Sequence, residues 1–255
     1  TRTEADGVPP ERVIDSDNAR GSRSAPSSTA RYPVTVPWAS KAFATSRSVR
    51  SVRSAAGVGT IGVIDDDGVE SSNLQRQIIH NDRTVGMPKV FSAQEQMEAL
   101  NPFITVKPYH RRLTEEDAAT LFPEYDLILD GTDNFDTRYM ANRMAVKAGK
   151  PLIAAAITQW EGQISLYDPG RGGPCYECVF PTRPAPGLVP SCAEAGVIAP
   201  LPGVMGSMMA MEAVKLLTGA GEPLRGAMLI YDGLYAETRR IGLKPRADCP
   251  VCHKA

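Results

Sequence analysis

Two pairs of cysteines carry the clearest chemical signal in the sequence. Cys175 and Cys178 are separated by two residues, and so are Cys249 and Cys252. Four thiolates from two C-x-x-C pairs are a ligand set that suits tetrahedral zinc, and four protein ligands would make the site closed and structural. Two redox pairs or incidental cysteines are the alternatives. The spacing favours zinc, which would tie the C-terminal end of the chain to its middle.

A second group of chemically capable residues lies between Asp65 and Lys89. The apolar run over residues 60–64 predicts a strand that ends in three consecutive aspartates. At the carboxyl end of a parallel strand, an acid can bind the hydroxyls of a ribose. Arg76 and Lys89 follow, and both cations bind phosphates, arginine as a fork of donors and lysine as a point charge. This pattern predicts a nucleotide site with two cations.

Asp133 follows another predicted strand, the buried run over residues 125–130. Aspartate is favoured as a helix N-cap, and its carboxylate is also a ligand for magnesium. On position alone, both interpretations stay open. Because Asp65 and Asp133 both come after parallel strands, we expect them to converge on one crevice.

The elements that must position these residues alternate between strand and helix. Predicted strands over 60–64, 104–106, 125–130 and 151–156 are separated by predicted helices over 88–100, 114–122 and 134–149. The second of these helices begins at Thr114-Glu115-Glu116-Asp117, which resembles a capped helix start. Predicted antiparallel strands follow over 162–168, 228–231 and 238–243. We therefore predict an α/β fold, a doubly wound and mainly parallel Rossmann-like sheet that continues into an antiparallel half.

The apolar stretch over residues 197–217 predicts a buried core helix. A membrane-spanning helix needs roughly 20 predominantly apolar residues. This stretch is interrupted by Pro200 and Pro202 and carries Glu212 and Lys215.

Length and composition limit the class of protein. The 255 residues are 42% hydrophobic with a formal net charge of -1, which fits one large α/β domain and argues against nucleic acid or a membrane surface as the main partner. The N-terminus lacks the apolar region of a signal peptide, so we predict a cytoplasmic protein whose five cysteines serve metal binding or catalysis.

Residues 1–55 differ from the rest of the chain. They are rich in Ser, Arg and Pro and show no lasting periodicity, so they predict an irregular or disordered segment before a domain over 56–255. Gly57, Gly59 and Gly62 match the G-x-G-x-x-G pattern of dinucleotide-binding loops. Because they lead into a strand and no strand is predicted before them, we interpret them as a turn. An NAD-dependent oxidoreductase is a weaker alternative that these glycines leave open.

The motifs S-x-L-x-R-Q, starting at Ser72, and G-x-P-K, ending at Lys89, resemble the MoeB/ThiF/HesA family, relatives of the ubiquitin-activating enzymes. The resemblance extends to the C-terminus and omits residues 1–55. It implies ATP-dependent adenylation of the C-terminal glycine of a ubiquitin-like sulfur carrier, MoaD- or ThiS-like. Thiocarboxylate formation for molybdopterin, thiamin or a related sulfur pathway would follow. It also implies a nucleotide half over 56–156 and a carrier-binding and zinc half over 157–255.

The resemblance assigns roles to individual residues. It implies catalytic roles for Arg76, Lys89 and Asp133, with magnesium held at Asp133. Cys192 matches a cysteine with which some relatives bind the carrier covalently, although a small buried hydrophobe is the alternative. The residues that it implies for ATP binding are Asp65, Ser72, Asn73, Leu74, Gln75, Arg76, Lys89, Asp133 and Asn134.

Family members also carry an N-terminal Arg-containing helix and a first strand followed by a glycine-rich phosphate loop. We find neither in residues 1–55, so a non-catalytic zinc protein that binds a carrier is the main alternative. One hypothesis is that this segment is translated out of frame or from a misplaced start, which sequencing of gene and transcript would test. The resemblance further implies a homodimer in which the partner's N-terminal Arg reaches the ATP. No rhodanese domain follows Ala255, so we expect a separate sulfur donor.

Overall fold

The computed structural model describes residues 58–185 and 195–253, together with the backbone of Lys41–Ala44. The strands are β1 (Lys41–Ala44), β2 (Thr60–Ile64), β3 (Thr105–Tyr109), β4 (Leu127–Asp130), β5 (Leu152–Thr158), β6 (Glu161–Tyr167), β7 (Ala227–Asp232) and β8 (Glu237–Gly242). The helices are α1 (Lys89–Leu100), α2 (Glu115–Leu121), α3 (Phe135–Lys147), α4 (Tyr176–Val179) and α5 (Leu201–Thr218). Each strand and helix that the sequence predicts is present; β2 has the predicted bounds, and the other elements are shifted by a few residues.

All eight strands belong to one sheet in the order β3-β2-β1-β4-β5-β6-β7-β8. The first five in that order are parallel to their neighbours, and β6, β7 and β8 continue the sheet by antiparallel pairing. This mixed sheet confirms the predicted α/β class. The strand order reverses between β1 and β4, and ligands of open α/β sheets bind in the crevice outside the strand ends at such a point.

The two faces of the sheet bury separate apolar clusters because side chains alternate along each strand. In β4, Leu127 and Leu129 pack into one cluster with residues of α1 and α5. Ile128, between them, packs into the other with residues of α2 and α3. A central strand covered on both faces must be apolar throughout, which explains the continuous hydrophobic run that predicted β4.

The polar residues at the helix N-termini are only partly where the sequence predicts them. Thr114 caps α2 through the predicted capping box, in which its Oγ1 accepts from the backbone N–H of Asp117. At α3 the cap is Asn134, whose Oδ1 accepts from the N–H of Thr137 at 2.8 Å. Capping by Asn134 leaves the side chain of Asp133 outside the helix end.

Strand β1 corrects the expectation for residues 1–55. The sequence predicts no strand before residue 56, yet Lys41–Ala44 pairs with β2 on one side and β4 on the other, in the middle of the five parallel strands. A four-residue segment has too little periodicity to be recognised, and its hydrogen bonds come from strands distant in sequence. A strand therefore does precede the glycines at 57–62, although Gly59 is followed directly by β2 as predicted. The rest of residues 1–57 lies outside the described part of the chain.

Helix α5 confirms the predicted core helix. Leu201, Met205 and Met209 are buried in the cluster that also holds residues of β6. Gly162 of β6 lets the helix approach closely, because a Cβ at this position would lie 2.4 Å from the sulfur of Met205. Within the described ranges, no helix has the length and hydrophobicity needed to cross a membrane.

Candidate active site and cysteine cluster

A cavity of about 930 Å³ opens at the carboxyl ends of the parallel strands. Asp65 lines it from the end of β2, and Asp133 and Asn134 line it from the loop after β4. Arg76 contributes from the segment after β2. The structure thus brings together, in one cavity, the two strand-end acids and one of the two cations that the sequence analysis singled out.

The three aspartates after β2 form a compact acidic group. Carboxylate oxygens of Asp65, Asp66 and Asp67 lie within 4.8 Å of one another. The backbone N–H of Asp67 donates to Asp65 Oδ1 at 3.0 Å, which folds the loop back on the strand end. Lys89 Nζ donates to Asp67 Oδ2 at 2.8 Å. Asp67, for which the sequence suggested no role, is therefore an ion-pair partner of Lys89.

Lys89 differs from the expectation of an open phosphate-binding cation. It is 2% exposed, at the first position of α1, and it is not among the described residues that line the cavity. Its ammonium reaches the site through Asp67, which does line the cavity.

The segment that contains Ser72 and Arg76 is held by its own turn. Asn73 is buried and its Oδ1 accepts from the backbone N–H of Glu70, while Arg76 Nη1 donates to the carbonyl of Ser72 at 2.8 Å. The described cavity wall includes Arg76 from this segment but not Ser72, Asn73, Leu74 or Gln75. These four residues shape the turn that presents Arg76.

The four cysteines of the two C-x-x-C pairs meet in one cluster. The Sγ–Sγ distances are 3.9 Å for Cys175–Cys178, 3.6 Å for Cys175–Cys249 and 3.4 Å for Cys178–Cys252. A tetrahedron with Zn–S bonds of about 2.3 Å has S–S edges of about 3.8 Å. The geometry of the donors therefore fits one tetrahedral metal ion.

The thiols of the cluster ionise unequally by themselves. Burial raises the pKa of Cys175, and burial also raises the pKa of Cys252 to about 11. At Cys249 burial opposes ionisation, but hydrogen bonds from the backbone of Cys252 and Val251 and from the thiols of Cys175 and Cys178 together lower the pKa to about 7. Four thiolates this close together would repel one another, and a bound cation would compensate their charge.

Comparison with known proteins decides the family. The model of the ThiF family matches residues 51–251. The chain belongs to the ThiF family. This confirms the resemblance seen in the S-x-L-x-R-Q and G-x-P-K motifs, and the match begins slightly before the boundary predicted at residue 56.

Relatives within the ThiF family cover most of the chain. A sulfur carrier protein adenylyltransferase of Thermus thermophilus is 50% identical over 202 residues, which are 78% of this chain and 74% of the relative. The SAMP-activating enzyme E1 of Haloferax volcanii is 43% identical over 78% of this chain and 73% of its own length. The probable adenylyltransferase/sulfurtransferase MoeZ of Mycobacterium tuberculosis is 47% identical over 77% of this chain, which spans 51% of that relative.

A solved structure supports the fold. Escherichia coli MccB superposes with a TM-score of 0.74 over 86% of this chain and 66% of that chain, at 21% sequence identity. At this identity the likeness supports the fold of the ThiF-family domain and nothing finer.

Arginines that the sequence analysis did not single out also surround the cavity. Arg112 and Arg183 line it, and Arg183, and more weakly Arg112, hold the pKa of Asp136 below its usual range. Arg138 lines it from the second turn of α3 and is buried. A basic residue in a polar helix predicts an exposed side chain, so no sequence pattern marked Arg138.

Cys192 lies outside the described residues. The described chain stops at residue 185 and resumes at residue 195, and Thr182, Arg183 and Pro184 line the cavity just before the gap. The predicted role of Cys192 stays a prediction.

Proposed function

We propose that this protein uses ATP to adenylate the C-terminal glycine of a ubiquitin-like sulfur carrier. The observation that carries the proposal is the convergence of Asp65, Arg76 and Asp133 on one cavity at the carboxyl ends of the parallel strands. The names of the relatives from Thermus thermophilus and Mycobacterium tuberculosis, both adenylyltransferases, support the same reaction class.

In the proposed reaction a carboxylate oxygen of the carrier attacks the α-phosphorus of ATP. The bond between the α-phosphorus and the bridging oxygen breaks, and pyrophosphate leaves with the electron pair. The products are the acyl-adenylate of the carrier and pyrophosphate. No general base is required, because a C-terminal carboxylate is already ionised at neutral pH.

Several polar residues at or near the cavity have proposed roles in binding ATP or in stabilising the transition state. Asp65 would bind the ribose hydroxyls, and Asn134 would contact the nucleotide while capping α3. Arg76 would stabilise the charge that develops on the phosphate oxygens, with Lys89 holding Asp67 in place or reaching the phosphates after that ion pair opens. Asp133 would hold magnesium, which would neutralise the departing pyrophosphate.

The cysteine cluster is proposed to hold structural zinc. Four thiolates leave no coordination position for a substrate, so zinc there would stabilise the fold and supply no chemistry to the reaction.

The carrier and its later chemistry are proposed from the family. A MoaD- or ThiS-like carrier ending in Gly-Gly would receive sulfur from a separate donor, for molybdopterin, thiamin or a related pathway. The thiolate of Cys192 would attack the acyl carbon of the carrier adenylate, forming a thioester and releasing AMP, and the enzyme would act as a homodimer. Mass spectrometry of a carrier–enzyme adduct, present in the native chain and absent in Cys192→Ala, tests the covalent role.

The decisive experiment is ATP–pyrophosphate exchange with purified protein, magnesium and a carrier ending in Gly-Gly. We expect exchange that depends on the carrier. Asp133→Ala should lower it by about 10²-fold or more, as when a group that stabilises transition-state charge is removed. The matched control is Glu95→Ala, which removes an exposed acid on α1 and should leave exchange unchanged.

Two results would contradict the proposal. Carrier binding without exchange in the native protein would favour the non-catalytic carrier-binding alternative. Saturable NAD binding in place of ATP binding would favour the oxidoreductase alternative.

A further inference from the structure

We infer that Arg138 is a positioning residue that holds the Gly131–Asn134 loop in the conformation that presents Asp133 to the cavity. Arg138 is 6% exposed and donates through Nε to Asp130 Oδ2 at 3.0 Å. Its Nη2 donates to the carbonyl oxygens of Thr132 and Ala155, each at 2.7 Å. One guanidinium thus joins the end of β4, the loop after it and strand β5.

The loop is also fixed from its other side by the same carboxylate. Asp130 Oδ1 accepts from the backbone N–H of Thr132 at 2.9 Å and from its hydroxyl at 2.7 Å. Asp130 is fully buried. With Asn134 committed to capping α3, the residues on both sides of Asp133 are fixed while Asp133 itself is exposed at the cavity.

The geometry at position 138 requires arginine and not lysine. The three acceptors of Arg138 belong to the end of β4, the loop after it and the middle of β5, and only a planar fork with several donors can reach them together. At Arg138 burial opposes the charge, but the carboxylate of Asp130, together with smaller contributions from Tyr176 and Tyr167, raises the pKa of the guanidinium. A lysine would keep the charge beside Asp130 and lose the simultaneous contacts to the carbonyls of Thr132 and Ala155.

A second arginine–aspartate pair in the molecule allows an effect of Arg138 on the loop to be distinguished from an effect on protein stability. Arg225 donates through Nε and Nη2 to Asp168 Oδ2 at 3.0 and 2.8 Å, and Asp168 is also buried. Neither residue of that pair lines the described cavity. A buried ion pair is by itself weak evidence for stability, so both pairs call for another explanation. For Arg138 the explanation is the loop that carries Asp133.

The inference rests on the proposed role of Asp133 in holding magnesium with ATP. Its consequence is that loosening Arg138 weakens the binding of ATP with magnesium and leaves the binding of the carrier unchanged.

The test compares Arg138→Lys with Arg225→Lys in the full chain. Calorimetry measures ATP binding with and without magnesium, and pyrophosphate exchange gives KM for ATP and for the carrier. In Arg138→Lys we expect the magnesium-dependent gain in ATP affinity to fall about tenfold or more, since small misplacements of a catalytic group have effects of this size. KM for the carrier should stay constant. Arg225→Lys should keep the magnesium-dependent gain even where its unfolding temperature falls equally.

Thr132→Val provides a second variant if Arg138→Lys does not fold. It removes the hydroxyl bond to Asp130 and leaves the buried ion pair intact, so a smaller loss of the same magnesium-dependent gain is expected. The inference would be overturned if Arg138→Lys and Arg225→Lys lost equal amounts of the magnesium-dependent gain in ATP affinity. It would also be overturned if Arg138→Lys and Thr132→Val both kept that gain in full. Native protein that binds ATP equally with and without magnesium would instead overturn the proposed role of Asp133, and the inference with it.

Discussion

The parallel and antiparallel halves of the sheet differ in the charged side chains that they expose at the cavity. At the carboxyl ends of the parallel strands, Asp66, Arg112 and Asp133 are exposed at the cavity. In the antiparallel half, Asp168 and Glu177 are buried, and each is bound by an arginine at 2.8–3.0 Å. The exposed group can contact a ligand, whereas the buried group is satisfied within the protein, as Arg138 and Asp130 are in the parallel half.

From this difference we predict which substitutions change the stability of the protein and which change ligand binding. Removing one partner of a buried charged pair leaves an uncompensated charge and strongly destabilises a fold. Removing an exposed charge has little effect on stability and removes an interaction with the ligand. Three substitutions test this comparison, beginning with the largest expected effect.

The cysteine cluster should respond most strongly. Cys249→Ser replaces a fully buried thiol that is within 3.6 Å of Cys175. A lost zinc ligand should cost at least several kcal/mol, because structural zinc contributes folding energy directly. At roughly 2–4 °C per kcal/mol for a domain of this size, the unfolding temperature should fall by about 10 °C or more.

Zinc content by atomic absorption and thermal unfolding measure this effect. Cys192→Ser is the matched control, since it removes the one cysteine outside the two C-x-x-C pairs. A Cys249→Ser protein with full zinc content and an unchanged unfolding temperature would show that the cluster is not a structural metal site.

Glu177 should give the next largest effect. It lies between Cys175 and Cys178, is 5% exposed, and accepts two hydrogen bonds from Arg143 at 2.9 and 3.0 Å and one from Asn142 at 3.2 Å. Glu177→Gln removes the charge-assisted pair that binds this C-x-x-C segment to α3. We expect a loss of about 2 kcal/mol, a typical contribution of hydrogen bonds to charged groups.

The measurement for Glu177→Gln is thermal unfolding together with the rate of zinc transfer to a coloured chelator, which should increase. Glu161→Gln is the control, because its Oε2 lies 3.9 Å from Arg239 Nη2 and both side chains are substantially exposed. Such pairs contribute about 0–1 kcal/mol. Equal behaviour of the two variants would contradict a special role for the buried carboxylate of Glu177.

The sequence predicts the parts of the fold that have local signals. Strand β4 is a run of apolar residues, and Thr114 with Asp117 forms a recognisable capping box, so both are found in advance. Strand β1, Lys41–Ala44, is not found in advance, although it is the middle one of the five parallel strands. Its four residues have no distinctive pattern, and β2 and β4 supply the hydrogen bonds that make it a strand.

The candidate site also contains features that have a local sequence signal and features that do not. The convergence of Asp65 and Asp133 on one cavity, and of four cysteines in one cluster, is predictable because a position after a parallel strand and a fixed spacing are local signals. Arg138 is not predictable, because two of its acceptors are backbone carbonyls, one of them in β5, and no side-chain pattern encodes them. The pairing of Lys89 with Asp67 is also not predictable, because the two residues are 22 positions apart in the sequence.

Arg76 should show the smallest effect on stability and a clear effect on binding. Its described hydrogen bond joins Nη1 to the carbonyl of Ser72, four residues away, so Arg76→Ala disturbs only a local turn. We expect a change of less than about 0.5 kcal/mol in the free energy of unfolding, as for ordinary surface substitutions. In calorimetry the affinity for ATP should fall about tenfold or more, since a hydrogen bond to a charged group contributes roughly 1.5–3 kcal/mol.

Arg83→Ala separates the role of Arg76 from a general loss of positive charge. Arg83 is exposed in the next turn of the same segment and is not among the described residues that line the cavity. If both variants lose ATP affinity equally, the effect is one of net charge, and the parallel half does not use Arg76 specifically. If Arg76→Ala instead unfolds at a much lower temperature, its charge serves the fold, and the contrast between the two halves fails at the residue where it should be clearest.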